Sequence, residues 1–313
     1  MNRRTLLKRL GAAVLAAPLA QAWADPARPS HLRLGYQKGS VALVLAKEHR
    51  LLESAYPQLA LDWLEFPAGP QMLEALNLGR LDVASTGDLP PLFAQAAGAD
   101  LVYIGAEPAK PRAETLLVPA GSPLHSIADL KGKRIGLQKG SSAHNLVLRL
   151  LQREDLAFTD IQPVYLAPAD ANAAFSQGSL DAWAIWDPYS ALVLHQGQAR
   201  LLADGTGLGL NGPLYTARRD YARAHGAFLK ELLAQLSQAE ALTRSDREGS
   251  LDILVRLMGL DRQVVADYLD HRPPSPIGPI TPEILAAQQR TADLFVSNGL
   301  LPRKVEVRAA LIQ

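Results

Sequence analysis

The amino-acid sequence predicts an α/β protein of two similar lobes, and a repeat inside the chain carries that prediction. Gln37-Lys38-Gly39-Ser40 returns as Gln138-Lys139-Gly140-Ser141, 101 residues later (138 − 37). Each copy follows a short apolar run of strand character, Leu32 to Gly35 or Arg134 to Leu137, and precedes a long helical pattern, so each is a strand-to-helix turn. A second pair recurs in the same order. Gly79-Arg80-Leu81-Asp82 leads into Ser85-Thr86-Gly87-Asp88-Leu89-Pro90, and Gly178-Ser179-Leu180-Asp181 leads into Ile185-Trp186-Asp187-Pro188, with the two later aspartates 99 residues apart (187 − 88). Two lobes built this way present helix starts from the carboxyl ends of their strands, and such ends attract anions.

The bulk of the chain fits this plan. At 313 residues, 48% apolar and 20% charged, it is long enough for two cores. The net charge of +1 and the lack of basic runs beyond the extreme N-terminus give no sign of nucleic acid or an anionic membrane as partner. Cysteine is absent, which removes disulfides, thiolate metal sites, a cysteine nucleophile and a lipid-modified cysteine. Arg3, Arg4, Lys8 and Arg9 precede an apolar run from Leu10 to Ala20, and Ala22-Trp23-Ala24 supplies a small-x-small cleavage pattern. Residues 1–24 therefore read as a cleaved export signal, and the Arg3-Arg4 pair leaves Sec and twin-arginine routes both open.

The first lobe begins with a strand at His31 to Gly35, followed by a helix from Ser40 to Glu53 with Ser40 as its N-cap. Leu59 to Phe66 is a strand, Gln71 to Leu78 a helix stopped by Gly79, and Asp82 to Ser85 a buried strand. A helix from Asp88 to Ala97 opens with Asp88 capping and prolines in its first turn. Strands follow at Leu101 to Ala106 and Glu114 to Pro119. Gly121-Ser122-Pro123 then breaks the pattern, which puts the crossing to the second lobe around Val118. That lobe repeats the plan: strand Lys133 to Leu137, helix Ser141 to Glu154, strand Gln162 to Leu166, helix Pro168 to Gln177 stopped by Gly178, and buried strand Asp181 to Ile185. Asp187-Pro188 opens a helix to His195. The strand Arg200 to Asp204 leads through a glycine-rich segment to the strand Pro213 to Ala217, back in the first lobe. The remainder is helical, ends with a helix from Pro282 to Val296, and is expected to pack on the first lobe. The lobes thus span residues 31–117 with 213–313, and 118–212.

Signatures of catalysis and cofactor binding are missing. Gly207-Leu208-Gly209-Leu210-Asn211-Gly212 has the spacing of a dinucleotide loop, but a proline and a strand follow where a helix is required. There is no Walker A loop, nucleophile elbow or His-Glu-x-x-His pair, and the histidines lie at no metal-ligand spacing, so neither enzyme activity, cofactor nor metal is expected. What remains is a binding site. Gln37, Gly39, Ser40, Ser141 and Ser142 place an amide, hydroxyls and backbone N–H groups at two helix starts, which suits a tetrahedral oxyanion such as a sulfonate, sulfate or phosphate. Lys38 and Lys139 are placed to face solvent. Thr86, Gly87 and Asp88 sit at the position equivalent to Trp186 and Asp187. A cleft-facing carboxylate there would accept hydrogen bonds from a ligand amine. Trp183 and Trp186 point to opposite faces of one strand, Trp183 to the core and Trp186 to the cleft, where an aromatic wall fits an organic chain beside the anion. Asn211, in the return segment, is placed to serve as hinge and ligand contact.

Taken together, Gly35-Tyr36-Gln37-Lys38-Gly39, the stretch from Thr86 to Asp100, Lys139-Gly140-Ser141-Ser142-Ala143-His144-Asn145 and the stretch from Asp181 to Tyr189 resemble the periplasmic substrate-binding proteins of ABC importers for aliphatic sulfonates. Taurine and nitrate binders are more distant relatives. The resemblance covers essentially the whole chain from His31 to the final helix. It implies a type II periplasmic-binding-protein fold, with a ligand closed between two lobes joined by two crossing segments. It also implies a sulfonate head held at Gln37 to Ser40 and at Ser141 to Ser142, with His144 in reach of the anion and Asp88, Trp186, Asp187 and Asn211 around the organic end. The implied partners are an alkanesulfonate and the permease subunits of an inner-membrane importer, with the receptor a periplasmic monomer. Taurine, nitrate or an organic phosphate stay open as cargo, although Asp88 favours an alkanesulfonate over nitrate or sulfate. The contrasting reading is an enzyme on the same fold, of transferase or thiamine-pathway type.

Overall fold

The computed structural model describes residues 28–312, so the export signal expected over residues 1–24 lies outside them. Two five-stranded mixed sheets carry the two lobes. The first part of lobe 1 comprises β1 (His31–Tyr36), α1 (Val41–Glu48), α2 (Leu51–Ala55), β2 (Ala60–Glu65), α3 (Gly69–Asn77), β3 (Val83–Thr86), α4 (Pro90–Ala96) and β4 (Leu101–Ala106). Lobe 2 comprises β5 (Glu114–Pro119), β6 (Arg134–Leu137), α5 (Ser142–Arg153), β7 (Gln162–Tyr165), α6 (Pro168–Ser176), β8 (Ala182–Trp186), α7 (Tyr189–His195) and β9 (Ala199–Asp204). The chain returns to lobe 1 through β10 (Leu214–Arg218). It ends with α8 (Arg219–Ala224), α9 (Gly226–Ser245), α10 (Arg247–Met258), α11 (Arg262–Asp270) and α12 (Pro282–Ser297).

Strand order is β2-β1-β3-β10-β4 in one sheet and β7-β6-β8-β5-β9 in the other. In each, two parallel pairings centre on β1 or β6, and a strand that has just crossed from the other lobe inserts antiparallel, β10 between β3 and β4 and β5 between β8 and β9. The first crossing therefore lies between β4 and β5, over residues 107–113, and not around Val118. The break at Gly121-Ser122-Pro123 is a loop inside lobe 2, and the apolar run of β5 carries no mark of the sheet it joins. The second crossing runs over residues 205–213. The two crossings are bonded to each other, with the Glu107 N–H donating to the Pro213 carbonyl at 2.9 Å and the Gly205 N–H to that of Pro111 at 2.9 Å. Gly212 is required here, because a Cβ would fall onto the carbonyls of Glu107 and Pro108.

A pair of ionic latches explains much of the internal repeat. Asp82 takes Arg33 Nη2 at 2.7 Å, Nε at 3.0 Å and the backbone N–H at 2.9 Å. Asp181 takes the same three groups of Arg134 at 2.9, 3.1 and 2.8 Å. The glycines that open the recurring segments, Gly79 and Gly178, have φ of +68° and +73° and end α3 and α6 in the left-handed conformation. Their leucines cover the middle of the neighbouring strand, where a Cβ on Gly35 would stand 2.6 Å from Leu81 and one on Gly136 closer still to Leu180. Each Gly-x-Leu-Asp segment is thus a helix stop, a packing residue and a latch in succession.

The helix expected from Ser40 to Glu53 is two helices, broken at Arg50, whose φ of +51° is left-handed. Neither His49 nor Arg50 is a residue that marks a break. The tail covers lobe 1 as expected: Phe228, Leu229 and Leu232 of α9 and Val264 of α11 share a buried core with Leu32, Leu34, Leu43 and Leu45. At about 1.5–3 kcal/mol per buried large apolar side chain, this face holds the tail in place. It also reaches further than expected, because α12 touches lobe 2. Arg149 of α5 donates to Thr291 at 2.9 Å, and the Phe295 ring lies 5.0 Å from that of His144.

Candidate functional site

The cleft between the lobes holds about 940 Å³ of non-protein space, part of it open to solvent. From lobe 1 it is lined by Gln37, Gly39 and Ser40 of the β1–α1 turn and by Thr86, Gly87 and Asp88 of the β3–α4 turn. From lobe 2 come Ser141 and Ser142 at the start of α5, with Trp186 and Asp187 at the end of β8. Asn211 lines it from the second crossing. These positions meet because every one lies at the carboxyl end of a strand or in a crossing, where open α/β sheets place their crevices.

His144 is not among them. It is fully buried in α5, accepts from the Gly140 N–H at 3.3 Å, and is surrounded by the rings of Phe93, Phe158, Tyr165 and Phe295. Burial, with Lys139 nearby, pushes its pKa down to about 3, so the imidazole is neutral. It packs between the lobes and does not line the cavity. The resemblance implied otherwise, but two residues past Ser142 on a helix is the far side of the turn from the cleft. Lys38 and Lys139 are exposed, the latter with its ammonium 5.5 Å from the Tyr165 ring centre. Trp183 is core, packed on Phe175, while Trp186 is part-exposed in the cleft.

The two repeated turns close alike, the Ser40 N–H donating to the Gln37 carbonyl at 2.8 Å and the Ser141 N–H to that of Gln138 at 3.2 Å. Ser40 does not cap its helix with its side chain; its hydroxyl accepts from the Gln37 N–H at 3.2 Å. Nor does Asp88 cap α4, which starts one residue later behind Leu89. Asp88 instead reaches across the cleft, accepting from Asn145 Nδ2 at 2.6 Å, while its Oδ1 has no partner. Asp187 does hold the start of α7, accepting from the Ala191 N–H at 3.0 Å, although Pro188 is the residue that caps. Its other oxygen lies 2.6 Å from His271 Nδ1, so both are engaged, and that contact raises the pKa of His271 against the opposing effect of burial. Asn211 donates to the Ile284 carbonyl and to Gln288 Oε1, tying the second crossing to α12.

Five polar residues the sequence did not single out also line it: Glu107 and Lys110 in the first crossing, Glu114 at the start of β5, Tyr268 in α11 and Arg272 just after it. Glu107 pairs with Lys110, lies 3.5 Å from Arg272 Nη2 and accepts from the Tyr215 hydroxyl at 2.9 Å. Burial alone would raise its pKa, but Lys110 and Arg272 outweigh that and lower it. Burial, reinforced by Arg272, brings Lys110 down to about 8. Two cations, Lys110 and Arg272, thus face the single carboxylate of Glu107 at this end of the cavity. Burial lifts Asp88 to about 6. Burial together with Asp88 lifts Glu114 to about 8, which keeps its carboxyl protonated at neutral pH.

The lobes are in contact around this cavity. A Cβ built on Gly87 would stand 2.9 Å from the Ser142 Cβ, and one on Gly39 3.3 Å from the Asp187 carbonyl oxygen. Among the described residues no cluster of histidine, cysteine, aspartate or glutamate is placed to hold a metal ion, and no helix is long and apolar enough to cross a membrane.

Two lobes closed on one cavity, joined by paired crossings, define a two-lobed solute-binding protein. The comparisons with known proteins agree. The NMT1/THI5 like family model matches residues 58–247, and the chain belongs to that family. It is 59% identical over 285 residues to an Escherichia coli K12 protein named for binding aliphatic sulfonates, covering 91% of this chain and 89% of that one. The alkanesulfonate-binding protein SsuA of Xanthomonas axonopodis pv. citri, solved bound to MOPS, superposes with a TM-score of 0.89 at 53% identity, over 91% of this chain and 99% of that one. The periplasmic aliphatic sulphonate binding protein SsuA of Escherichia coli gives 0.86 at 58% identity, over 91% and 93%. The fold is accordingly that of periplasmic binding proteins, and these relatives are binding proteins, not enzymes.

Proposed function

We propose that the chain is an exported receptor that captures an aliphatic sulfonate between its lobes and delivers it to the permease of an ABC importer. The observation that carries this reading is the meeting of two equivalent helix starts, Ser40 of lobe 1 with Ser141 and Ser142 of lobe 2, at one cavity. A tetrahedral sulfonate head between them would gain hydrogen bonds from both sides and the favourable ends of both helix dipoles. Lys110 and Arg272 add positive charge. Trp186 and Leu210 supply an apolar wall for the alkyl part. Closing the cleft removes water from the anion and strengthens each charge-assisted bond. The relatives named for sulfonate binding support the same cargo, and the periplasmic relatives support the compartment. Residues 1–24 supply the cleavable leader by composition. The receptor acts as a monomer, which sedimentation of the mature chain tests.

Calorimetric titration with propanesulfonate, sulfate and nitrate tests the cargo. Tight binding of the sulfonate alone is expected; tight sulfate or nitrate binding without sulfonate heat rejects the assignment.

A further inference from the structure

Asp88 and Asp187, equivalent in the internal repeat, both bond across the cleft, but to different kinds of partner. Asp88 of lobe 1 accepts from Asn145 Nδ2 of lobe 2 at 2.6 Å, and that amide keeps one charge state at every pH. Asp187 of lobe 2 lies 2.6 Å from Nδ1 of His271, which follows α11 in lobe 1. The Asp187 side chain is fully buried and that of His271 is 20% exposed, so a proton can reach the histidine while the carboxyl stays out of water. The other Asp187 oxygen is taken by the Ser190 hydroxyl and the Ala191 N–H, which fixes the carboxyl in place. This side of the interface is also packed, since Ala191 of α7 shares a buried core with Val264 and Tyr268 of α11. Nearby, His195 of lobe 2 stands 3.9 Å from Asp261 of lobe 1, a second histidine and aspartate facing each other between the lobes. One side of the closed cleft is thus fastened by an uncharged amide donor, and the other by a histidine, the side chain whose charge changes near neutral pH.

We propose that His271 is a positioning residue for ligand capture: in its charged form it clasps Asp187 and holds the lobes shut, so the receptor grips its cargo more tightly in acid than in base. This rests on the receptor reading above and adds a control to it. When the lobes part, His271 and Asp187 separate and are hydrated, and the histidine returns towards its ordinary pKa of 6.5. In the closed chain the bond to Asp187 raises the pKa of His271 against the opposing effect of burial. Closing the cleft therefore draws a proton onto His271 in the interval just above 6.5, and by reciprocity a proton there favours closing. The contribution is full below 6.5 and is lost as pH rises through the raised, closed-state pKa. Because capture needs closure, affinity follows the same curve. Other groups face the pair. Asp267 of α11 favours the charged histidine and Arg112 of the first crossing opposes it, while Glu114 and Tyr268 lie within the field of Asp187. Asp88, Glu114 and Lys110 also titrate in this cleft, at about 6, about 8 and about 8, so the pH profile of the native chain is a sum of several groups.

A ratio isolates His271 from that sum. Propanesulfonate is titrated calorimetrically into the mature native chain and into His271→Gln at pH 5.5, 6.5, 7.5 and 8.5; glutamine keeps an N–H donor for Asp187 without a titrating charge. Contributions common to both chains, those of Asp88, Glu114 and Lys110 included, cancel in the ratio of affinities. The native chain is expected to bind about fivefold more tightly than the variant at pH 5.5, the extra worth of a hydrogen bond to a charged group over a neutral one, and about equally at pH 8.5. NMR titration of the His271 ring gives a second readout in the native chain, where saturation with propanesulfonate is expected to raise the ring pKa. In Asp187→Asn that rise should vanish. A ratio that stays constant with pH overturns this proposal alone and leaves His271 a packing contact. A ring pKa that saturation leaves unchanged or lowers overturns it as well, and so does a rise that persists in Asp187→Asn, which would come from the charge of the ligand itself. Should His271→Gln fail to fold, the NMR titration of the native chain decides. Absence of heat from the native chain at every pH removes the receptor reading and this proposal with it.

Discussion

Replacing Gly87 by alanine separates closure from folding. The glycine has no left-handed φ, so alanine fits its backbone, and the three nearest neighbours of the added methyl all belong to Ser142 across the cleft. At 2.9 Å from the Ser142 Cβ, the methyl is about 1 Å inside ordinary carbon contact. Overpacking of this kind costs about 1–3 kcal/mol. The lobes can avoid it only by staying slightly apart, which lengthens the bonds from Ser142 and Asn145 to anything at the lobe 1 turn. Alkanesulfonate affinity should therefore fall about 5- to 150-fold. Thermal stability of the ligand-free chain should hold or rise by a few tenths of a kcal/mol, since alanine restricts the unfolded chain. Calorimetry gives the first quantity and thermal unfolding the second. An affinity within twofold of native would refute the closed cleft as the ligand-holding state. A large loss of ligand-free stability would show that Gly87 matters for folding and not for closure.

Ser142→Ala should cost about 1.5–3 kcal/mol of sulfonate binding, the worth of a hydrogen bond to a charged group, measured by titration. Asp82→Ala should destabilise by about 3 kcal/mol and Asp181→Ala by about 1, because Asp82 is nearly buried with two arginines about it and Asp181 is part-exposed; urea unfolding checks both. Glu114 has a folded-state pKa near 8, above the ordinary 4.5, so the folded chain keeps a proton that the unfolded chain has lost. Stability from this group is full below about 4.5 and declines by at most about 1.4 kcal/mol per pH unit up to about 8. Glu114→Gln should flatten that part of a stability-versus-pH curve, and an unchanged slope would contradict the assignment.

Local signals carried most of the fold. Gly79 and Gly178 stop helices because a left-handed residue there is cheap only for glycine, and that is readable without neighbours. The repeat was legible because each turn and latch is built from residues adjacent in sequence. The sheet that β5 joins was not, since Leu116 and Leu117 would serve equally in either core, and the misplaced crossing hid Glu107, Lys110 and Glu114. Their signal was present: charged residues set among prolines and alanines, from Ala106 to Glu114, between two apolar strands. Arg272, just before Pro273-Pro274, has no such mark; only the packing of α11 over the cleft gives it a role. His144 shows the opposite error, in which closeness along the chain to a site was mistaken for closeness in space.

The chain from Glu114 to Asp204 supplies every strand of lobe 2 without interruption, and its two ends leave through neighbouring crossings. Lobe 1 instead waits for β10, whose last residue is Arg218, before its sheet can join β3 to β4. During synthesis the inserted lobe can be finished first, while the opening half of the molecule stands with an unfilled slot. The same layout makes the insert a transplantable cassette: exchanging it with a relative's would replace one jaw of the cleft and leave the other jaw and the helical tail unchanged.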